Sequence, residues 1–208
     1  MYSQINFSDT FYRSDLFVGI EEDKLSDIFS SGDRRVYQSG GIIFREGDPA
    51  VKSYLVLKGR LKLSKLHEDG KEAIVRYINT CEITAAVSAF SGKDYPVTAQ
   101  AVGFSEVVGW DRDTMLELMT VYPQIAINLL GTVVERLDDI QNRYLELQTE
   151  RVEQRIARSL LRIMKQSGRR TEEGILIDFR LSRQELADYT GTTLYTVSRT
   201  LSSWEKRG

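Results

Sequence analysis

The 208 residues are enough for two modest domains, each able to bury a core, and 41% hydrophobic with 28% charged residues is a globular composition without a low-complexity tract. One cysteine, Cys81, excludes an internal disulfide framework and any multi-cysteine metal or iron–sulfur site within one chain; no apolar run nears the ~18 residues of a membrane span, and Met1 to Arg13 lacks a leader pattern, so no membrane partner and a cytoplasmic protein are expected. The net charge of −2 conceals an asymmetry, −6 over residues 1–149 and +4 over residues 150–208, which points the basic end at phosphate.

Residues 14–31 read as a short helix with Leu16, Phe17, Ile20, Leu25, Ile28 and Phe29 on its apolar face and Asp23 or Ser26 as caps. From Arg34 the period changes to short β-branched and aromatic runs: Val36–Tyr37, Ile42–Phe44, Tyr54–Leu57, Leu61–Leu66 and Ala73–Ile78. Gly40-Gly41, Glu46-Gly47-Asp48-Pro49, Lys58-Gly59 and Glu68-Asp69-Gly70-Lys71 separate them, and Asp69-Gly70 favours a two-residue hairpin. Leu61 and Leu63 alternate with Lys62 and Ser64, as in a half-buried strand. Small residues from Thr84 to Ala89 suggest one helical turn, and Val97–Gln100 and Glu106–Trp110 return to strand character. Asp111 then caps a short helix through Met115, Leu116 and Met119. The first domain is therefore expected to be a barrel of about eight strands.

After Pro123 a long helix begins. Ala126, Leu130, Val133, Leu137, Ile140, Tyr144 and Leu147 step alternately by four and three, the spacing of a coiled-coil seam, while the remaining positions are mostly polar. So narrow a stripe suits a second copy of itself, although an ordinary amphipathic core helix has the same pattern over three heptads.

The basic end opens with a helix over Val152–Lys165, with Ile156, Leu160, Leu161 and Met164 inward and Arg155, Arg158, Arg162 and Lys165 outward. A loop at Gly168–Gly174 and a strand at Ile175–Phe179 follow. Ser182-Arg183-Gln184-Glu185 is a capping-box pattern opening a short helix, Gly191 closes it, and Thr192-Thr193 open another with Val197, Leu201 and Trp204 inward. Helix, glycine turn, helix is the helix-turn-helix signature, whose second helix reads the major groove. Leu194, Tyr195, Ser198 and Arg199 lie on its exposed face; Arg199 can bond guanine with two donors, while Thr192, Thr193 and Thr196 suit phosphate and Arg183 is a further candidate DNA contact.

The runs Ile43–Ala50, Tyr54–Gly59 and Glu68–Glu72 leading to Tyr77-Ile78-Asn79, followed by the long helix and the helix-turn-helix, resemble the Crp/Fnr family of bacterial transcription regulators from about Leu16 onward. The resemblance implies an α+β fold: an N-terminal cyclic-nucleotide-binding-type β-barrel, that is a double-stranded β-helix or jelly roll, a long dimerisation helix, and a C-terminal winged helix-turn-helix. It divides the chain into an effector-sensing domain at 1–123, a dimerisation helix at 124–150 through Leu130, Val133, Leu137, Ile140, Tyr144 and Leu147, and a DNA-binding domain at 151–208. The family's two-stranded wing would follow Trp204 to Gly208, so this domain is read as truncated at its C-terminus. Arg199 and Ser198 match the family pattern. Tyr195 stands where many members have glutamate, which implies a different half-site preference.

By the same resemblance, the Gly-Glu pair that holds the ribose of cyclic AMP falls on Ala85 and Ala86, the Arg-Ser pair for the phosphate near Tyr95 and Pro96, and the helix positions for the base near Ile140 and Gln141. The reading finds no cation for an anionic phosphate, so cyclic AMP is not expected as effector. One cysteine excludes the family's iron–sulfur cluster. Heme, through which a third branch of the family senses nitric oxide or carbon monoxide, is left open through Tyr, Met or the N-terminus, with His67 expected in an exposed turn and Cys81 either a small core residue or a ligand. Ala85, Ala86, Val87, Phe90, Tyr95, Ile140 and Gln141 form the candidate effector pocket, suited to an apolar or flat ligand or to none.

The expected function is a homodimeric regulator that binds palindromic double-stranded DNA, with effector-controlled or constitutive activity. The loops at Leu66–Glu72 and Gly168–Gly174 lie where family activators touch RNA polymerase. The alternative is a small-molecule-binding module whose helical end contacts a protein. No Cys/His pair, phosphate-cradling glycine loop or carboxylate cluster at motif spacing points to an enzyme.

Overall fold

The computed structural model describes residues 13–66, 72–172, 174–177, 179 and 181–207. In chain order the elements are α1 (Glu22–Ser30), β1 (Asp33–Tyr37), β2 (Ile42–Phe44), β3 (Lys52–Lys58), β4 (Arg60–Leu66), β5 (Glu72–Asn79), β6 (Ile83–Thr84), α2 (Ala86–Ser91), β7 (Thr98–Ala101), β8 (Ser105–Asp111), α3 (Arg112–Val121), α4 (Pro123–Thr149), α5 (Val152–Ser167), β9 (Gly168–Thr171), β10 (Gly174–Ile177), α6 (Arg183–Thr190) and α7 (Leu194–Glu205). They form two compact units, Met1–Lys65 with Tyr77–Leu137, and Leu66–Arg76 with Asp138–Gly208.

Seven strands where the apolar runs were expected, and the short β6 in a stretch read as breaking the strand pattern, form two sheets, β1-β8-β3-β6 and β2-β7-β4-β5, a jelly-roll-like pair instead of a closed barrel. Strand β3 runs antiparallel to β8, pairing Ser53 with Trp110 and Leu55 with Val108. The consecutive apolar run Tyr54–Leu57 is buried on both faces, which is why it shows no alternation. Tyr54 and Val56 pack between the sheets with Phe44, Leu61, Leu63, Ile78, Ala99 and Val107. Leu55 and Leu57 face the other way, into a cluster with Leu16, Phe17, Leu25, Ile28, Trp110, Met115, Ile125 and Leu129. The indole N–H of Trp110 donates to Ile28 O at 3.0 Å and Ser31 Oγ at 3.2 Å, so this large buried side chain leaves no polar atom unpaired. Gly59 joins β3 to β4 with φ +82°, and a Cβ there would lie 2.3 Å from Phe104 O, so only glycine fits this turn.

Two local expectations need correction in the first unit. Leu16 and Phe17 lie in a separate 3-10 turn, Asp15–Phe17, ahead of α1. Helix α1 begins at Glu22, ahead of Asp23, so its N-cap is Glu21, whose side chain makes no cap bond. Asp111, by contrast, caps α3 by accepting from Thr114 N at 2.8 Å. The Asp69-Gly70 turn and His67 lie outside the described residues.

In the second unit Ile156, Leu186, Ala187 and Val197 form the core, with Val152, Leu160, Leu181, Leu201 and Trp204 packed on it. Leu161, expected inward, is exposed, and Ile163, which the expected inward set did not include, is buried. Ile163 follows Ile156 by seven residues and returns to its face, whereas Leu161 is five residues on and points away. Arg155 and Arg162 are half-buried instead of outward, and Arg162 Nη1 bonds Glu146 Oε1 at 2.6 Å. The segment expected as a loop at Gly168–Gly174 is a hairpin: β9 pairs antiparallel with β10, and Thr171 Oγ1 donates to Gly174 O at 3.1 Å across its turn. No helix among the described residues is long and apolar enough to cross a membrane.

Candidate nucleic-acid interface and effector cleft

Local hydrogen bonding sets both helices of the helix-turn-helix. Ser182 Oγ accepts from Glu185 N at 3.1 Å while Glu185 Oε2 accepts from Ser182 N at 2.9 Å, which closes the first turn of α6 from both sides. Gly191 ends α6 in the left-handed region at φ +63°, and both it and Thr192 donate to Ala187 O. Thr193 then caps α7, its Oγ1 accepting from Thr196 N at 3.2 Å and lying 2.9 Å from Thr196 Oγ1. Val197 is buried, which fixes the rotation of α7 and turns the opposite face outward.

That outward face carries Leu194, Tyr195 and Arg199 exposed and Ser198 half-buried. Tyr195, at 73% exposure, has the Arg199 guanidinium 5.8 Å from its ring centroid, one helical turn on. The first turn of α7 holds no acidic residue, so nothing offsets the positive end of its dipole. Arg183 and Thr193 are exposed and Thr192 and Thr196 half-buried. The structure therefore gathers the eight predicted contact residues at the two helix starts, but with the Thr193 and Thr196 hydroxyls engaged in the cap.

The stripe on α4 is also laid open. Leu130, Leu137, Ile140, Tyr144 and Leu147 are 53–64% exposed in the single chain, and Val133 is half-buried. Ile125 and Leu129, off the stripe, are the positions that anchor the start of α4 in the first core. Asn128 Nδ2 adds bonds to Leu16 O at 3.0 Å and Val18 O at 2.9 Å.

The candidate effector pocket is only partly assembled. A cleft of about 150 Å³ in the first unit is lined by Ala85, Val87 and Tyr95, with Phe44, Ser88 and Arg136 among their neighbours. Ala86 is buried in the core and does not line it. Phe90 faces a separate apolar groove with Leu116, Met119 and Leu130. Ile140 and Gln141 belong to the second unit. Arg136 corrects the expectation that no cation is supplied; its guanidinium donates to Ile83 O. The signal was within reach, since Arg136 is one turn before Ile140 on the same helix. Tyr95 stacks on Phe44 with centroids 4.1 Å apart, and its hydroxyl donates to Lys52 O at 2.9 Å and accepts from Lys52 N at 3.0 Å.

Tyr95 carries the only heme-ligating type of atom among the described residues of this cleft, and that atom is already engaged, so the cleft does not fit heme. Cys81 is half-buried at φ +74°, outside the cleft lining, and burial pushes its thiol up.

A family model described as cyclic nucleotide-binding domain matches residues 34–122, and one described as Crp-like helix-turn-helix domain matches residues 154–208. The chain is 29% identical over 195 residues to the cyclic AMP receptor protein of Thermus thermophilus, covering 94% of this chain and 87% of that protein. It is 25% identical over 198 residues to the CRP-like cAMP-activated global transcriptional regulator of Mycobacterium tuberculosis, covering 94% and 88%. The structure of FixK2 from Bradyrhizobium japonicum superposes with a TM-score of 0.73 at 25% identity, covering 85% of this chain and 86% of that one.

Proposed function

We propose that this chain, which belongs to the Crp/Fnr family of DNA-binding transcription regulators, acts as a homodimer on a palindromic site. The observation that carries the reading is the start of α7, where Tyr195 and Arg199 stand exposed on a helix whose other face is buried and whose caps are internally satisfied. Arg199 reads guanine, Ser198 and Tyr195 touch neighbouring bases, Leu194 packs beside them, and Thr192, Thr193, Thr196 and Arg183 hold phosphates. A tyrosine at 195 lacks the anionic carboxylate that accepts from cytosine, and packs instead on a thymine methyl.

The exposed stripe Leu130–Leu147 supports pairing of two α4 helices across a two-fold axis, which sets the two reading helices about one DNA turn apart. In this reading residues 1–123 sense, 124–150 dimerise and 151–208 bind DNA, in a cytoplasmic protein that activates transcription through RNA polymerase and catalyses no reaction. The activator part rests on family resemblance.

Cyclic AMP is not assigned as the effector. The ribose positions are Ala85 and Ala86, the phosphate positions Tyr95 and Pro96, and the cleft is smaller than the ~300 Å³ at which ligand pockets begin. Arg136 alone offers a cation there.

The test is a fluorescence-anisotropy titration of a family-type palindromic duplex at several salt concentrations, with sedimentation to establish the stoichiometry. One dimer per duplex, with log affinity falling steeply against log salt, is expected. Binding indifferent to salt, or a monomer at micromolar concentration, overturns the reading. Added cyclic AMP is expected to leave the curve unmoved.

A further inference from the structure

The second unit contains a pocket of about 410 Å³ that the DNA-reading assignment does not use. Ile74, Val75, Ile140, Tyr144 and Leu147 give it apolar lining, and Arg143, Arg155 and Arg162 give it charge. Arg143 donates to Val75 O at 2.6 Å and to the Tyr189 hydroxyl, with its guanidinium 4.6 Å from the Tyr189 ring centroid. Arg162 Nη1 bonds both oxygens of Glu146, at 2.6 and 2.9 Å, and its Nη2 donates to Ser159 Oγ at 3.1 Å. Arg155 Nη1 donates to Glu150 O at 3.3 Å.

The Nε–H of each of these three arginines is buried and has no hydrogen-bond partner among the described residues. Of the two carboxylates in the lining, Glu146 is held by Arg162 and Asp188 accepts from Gln184 at 2.7 Å, so the pocket keeps a positive excess. Burial, with Arg162 and Arg76 adding to it, lowers the Arg143 guanidinium from its usual range. A buried donor without a partner costs on the order of 1–3 kcal/mol, and more on a charged group. Three of them around one apolar-walled pocket call for an acceptor with an apolar body.

We propose that this pocket binds a small organic oxyanion, a carboxylate or a phosphate monoester, with Arg143, Arg155 and Arg162 around its oxygens and Ile74, Val75 and Leu147 against its body. The proposal rests on the geometry of the second unit and not on the DNA-reading assignment. It has a consequence for that assignment all the same, because Tyr189 and Thr190 in the lining end the helix that Gly191 joins to the reading helix. Ile140, Tyr144 and Leu147 also belong to the stripe assigned to the second copy, so dimerisation covers part of the apolar wall.

Isothermal titration of the full chain with benzoate and with phenyl phosphate, against uncharged benzamide, tests the site. At least one anion is expected to bind with a Kd at or below about 1 mM while benzamide does not. Arg155→Gln and Arg162→Gln are each expected to weaken binding about tenfold, a loss of one charge-assisted contact, with Arg155→Lys recovering part of it. Failure of both anions to bind the unaltered protein, or equal binding of benzamide, overturns the proposal without recourse to any variant. Full displacement of phenyl phosphate in proportion to added duplex also overturns it, since a DNA backbone phosphate is then the occupant. Duplex affinity measured with no anion present tests the DNA reading separately.

Discussion

The cleft beside Ala85 and the helix-turn-helix draw on similar side chains, hydroxyls, a tyrosine and an arginine, and use them in opposite ways. In the cleft, both hydrogen-bonding roles of the Tyr95 hydroxyl are satisfied by Lys52, its ring is stacked on Phe44, and Arg136 reaches back to Ile83 O. In the helix-turn-helix, Ser182 and Thr193 close the helix starts, while Tyr195 and Arg199 stand exposed and in a ring contact with each other. Exposed groups that no internal bond holds can be given to a ligand at little cost, whereas internally bonded groups must first lose a partner. The same physical chemistry makes one region a frame and the other a recognition surface.

The largest effect that tests this contrast is on DNA affinity. Arg199→Ala is expected to weaken duplex binding by about 10- to 100-fold, the ~1–3 kcal/mol of a bidentate base contact, and to relax preference at one base pair per half-site. Because Arg199 is exposed, the melting temperature should stay within about 1 °C, as for a surface change within ±0.5 kcal/mol. An anisotropy titration beside a thermal melt separates the two quantities; a variant that melts early while binding normally would place Arg199 in the frame.

On the frame side the corresponding probe is Tyr54, buried between the sheets. Burial, with Tyr95 and Tyr37 adding to it, holds its phenol above the usual value of 10. The unfolded chain ionises this group near pH 10 while the folded chain keeps the proton, so the contribution is complete below pH 10 and is lost as pH rises beyond it. Stability should fall by about 1.4 kcal/mol per pH unit above 10 from this group alone. Tyr54→Phe should remove that part of the slope. Urea melts of both proteins at pH 8, 10 and 11 check it, and identical slopes would mean the phenol is not buried.

A smaller effect is expected at the caps. Ser182→Ala should cost about 1 kcal/mol of stability, the usual value of an N-cap, with duplex affinity unchanged once the protein is folded. Chemical denaturation measures the first quantity and titration the second.

The contrast between the regions also explains which parts were legible in the sequence. Ser182 with Glu185, Gly191 and Thr193 are local signals; each acts within four residues, and the structure uses all of them as the pattern suggests. Seven of the strands were legible from glycine-punctuated apolar runs, while the two-residue β6 was not, and neither was their order, because β1 pairs with β8 and β2 with β7 across more than fifty residues. Arg136 was missed although its place one turn before Ile140 on the same helix was legible; its bond to Ile83 O was not, since only the tertiary fold makes it. Arg155 and Arg162 read as outward because arginines on a helix usually are, and it takes Glu146 on a different helix to hold Arg162 half-buried. Leu161 and Ile163 show the limit of periodicity alone, where a difference of two residues decides which side chain returns to the face of Ile156.

The smallest predicted effect has the opposite sign to the rest. Ala85 adopts φ +63° and ψ 0°, left-handed backbone that a β-carbon disfavours, at the residue that precedes α2. By resemblance, the glycine of the family's Gly-Glu pattern falls at this position, and the backbone here has a glycine-favouring shape. Relieving the strain is worth about 1–2 kcal/mol, and the extra freedom of glycine in the unfolded chain takes back ~0.4–1 kcal/mol. Ala85→Gly should therefore stabilise the protein by about 0.5–1 kcal/mol, a rise of roughly 1–4 °C in Tm, with duplex affinity unaltered. Ala85 Cβ would then be a tolerated strain at the edge of the cleft, and its removal the one change in this region that strengthens the frame. A fall in Tm would mean that the Ala85 side chain makes packing contacts within the cleft worth more than the backbone strain.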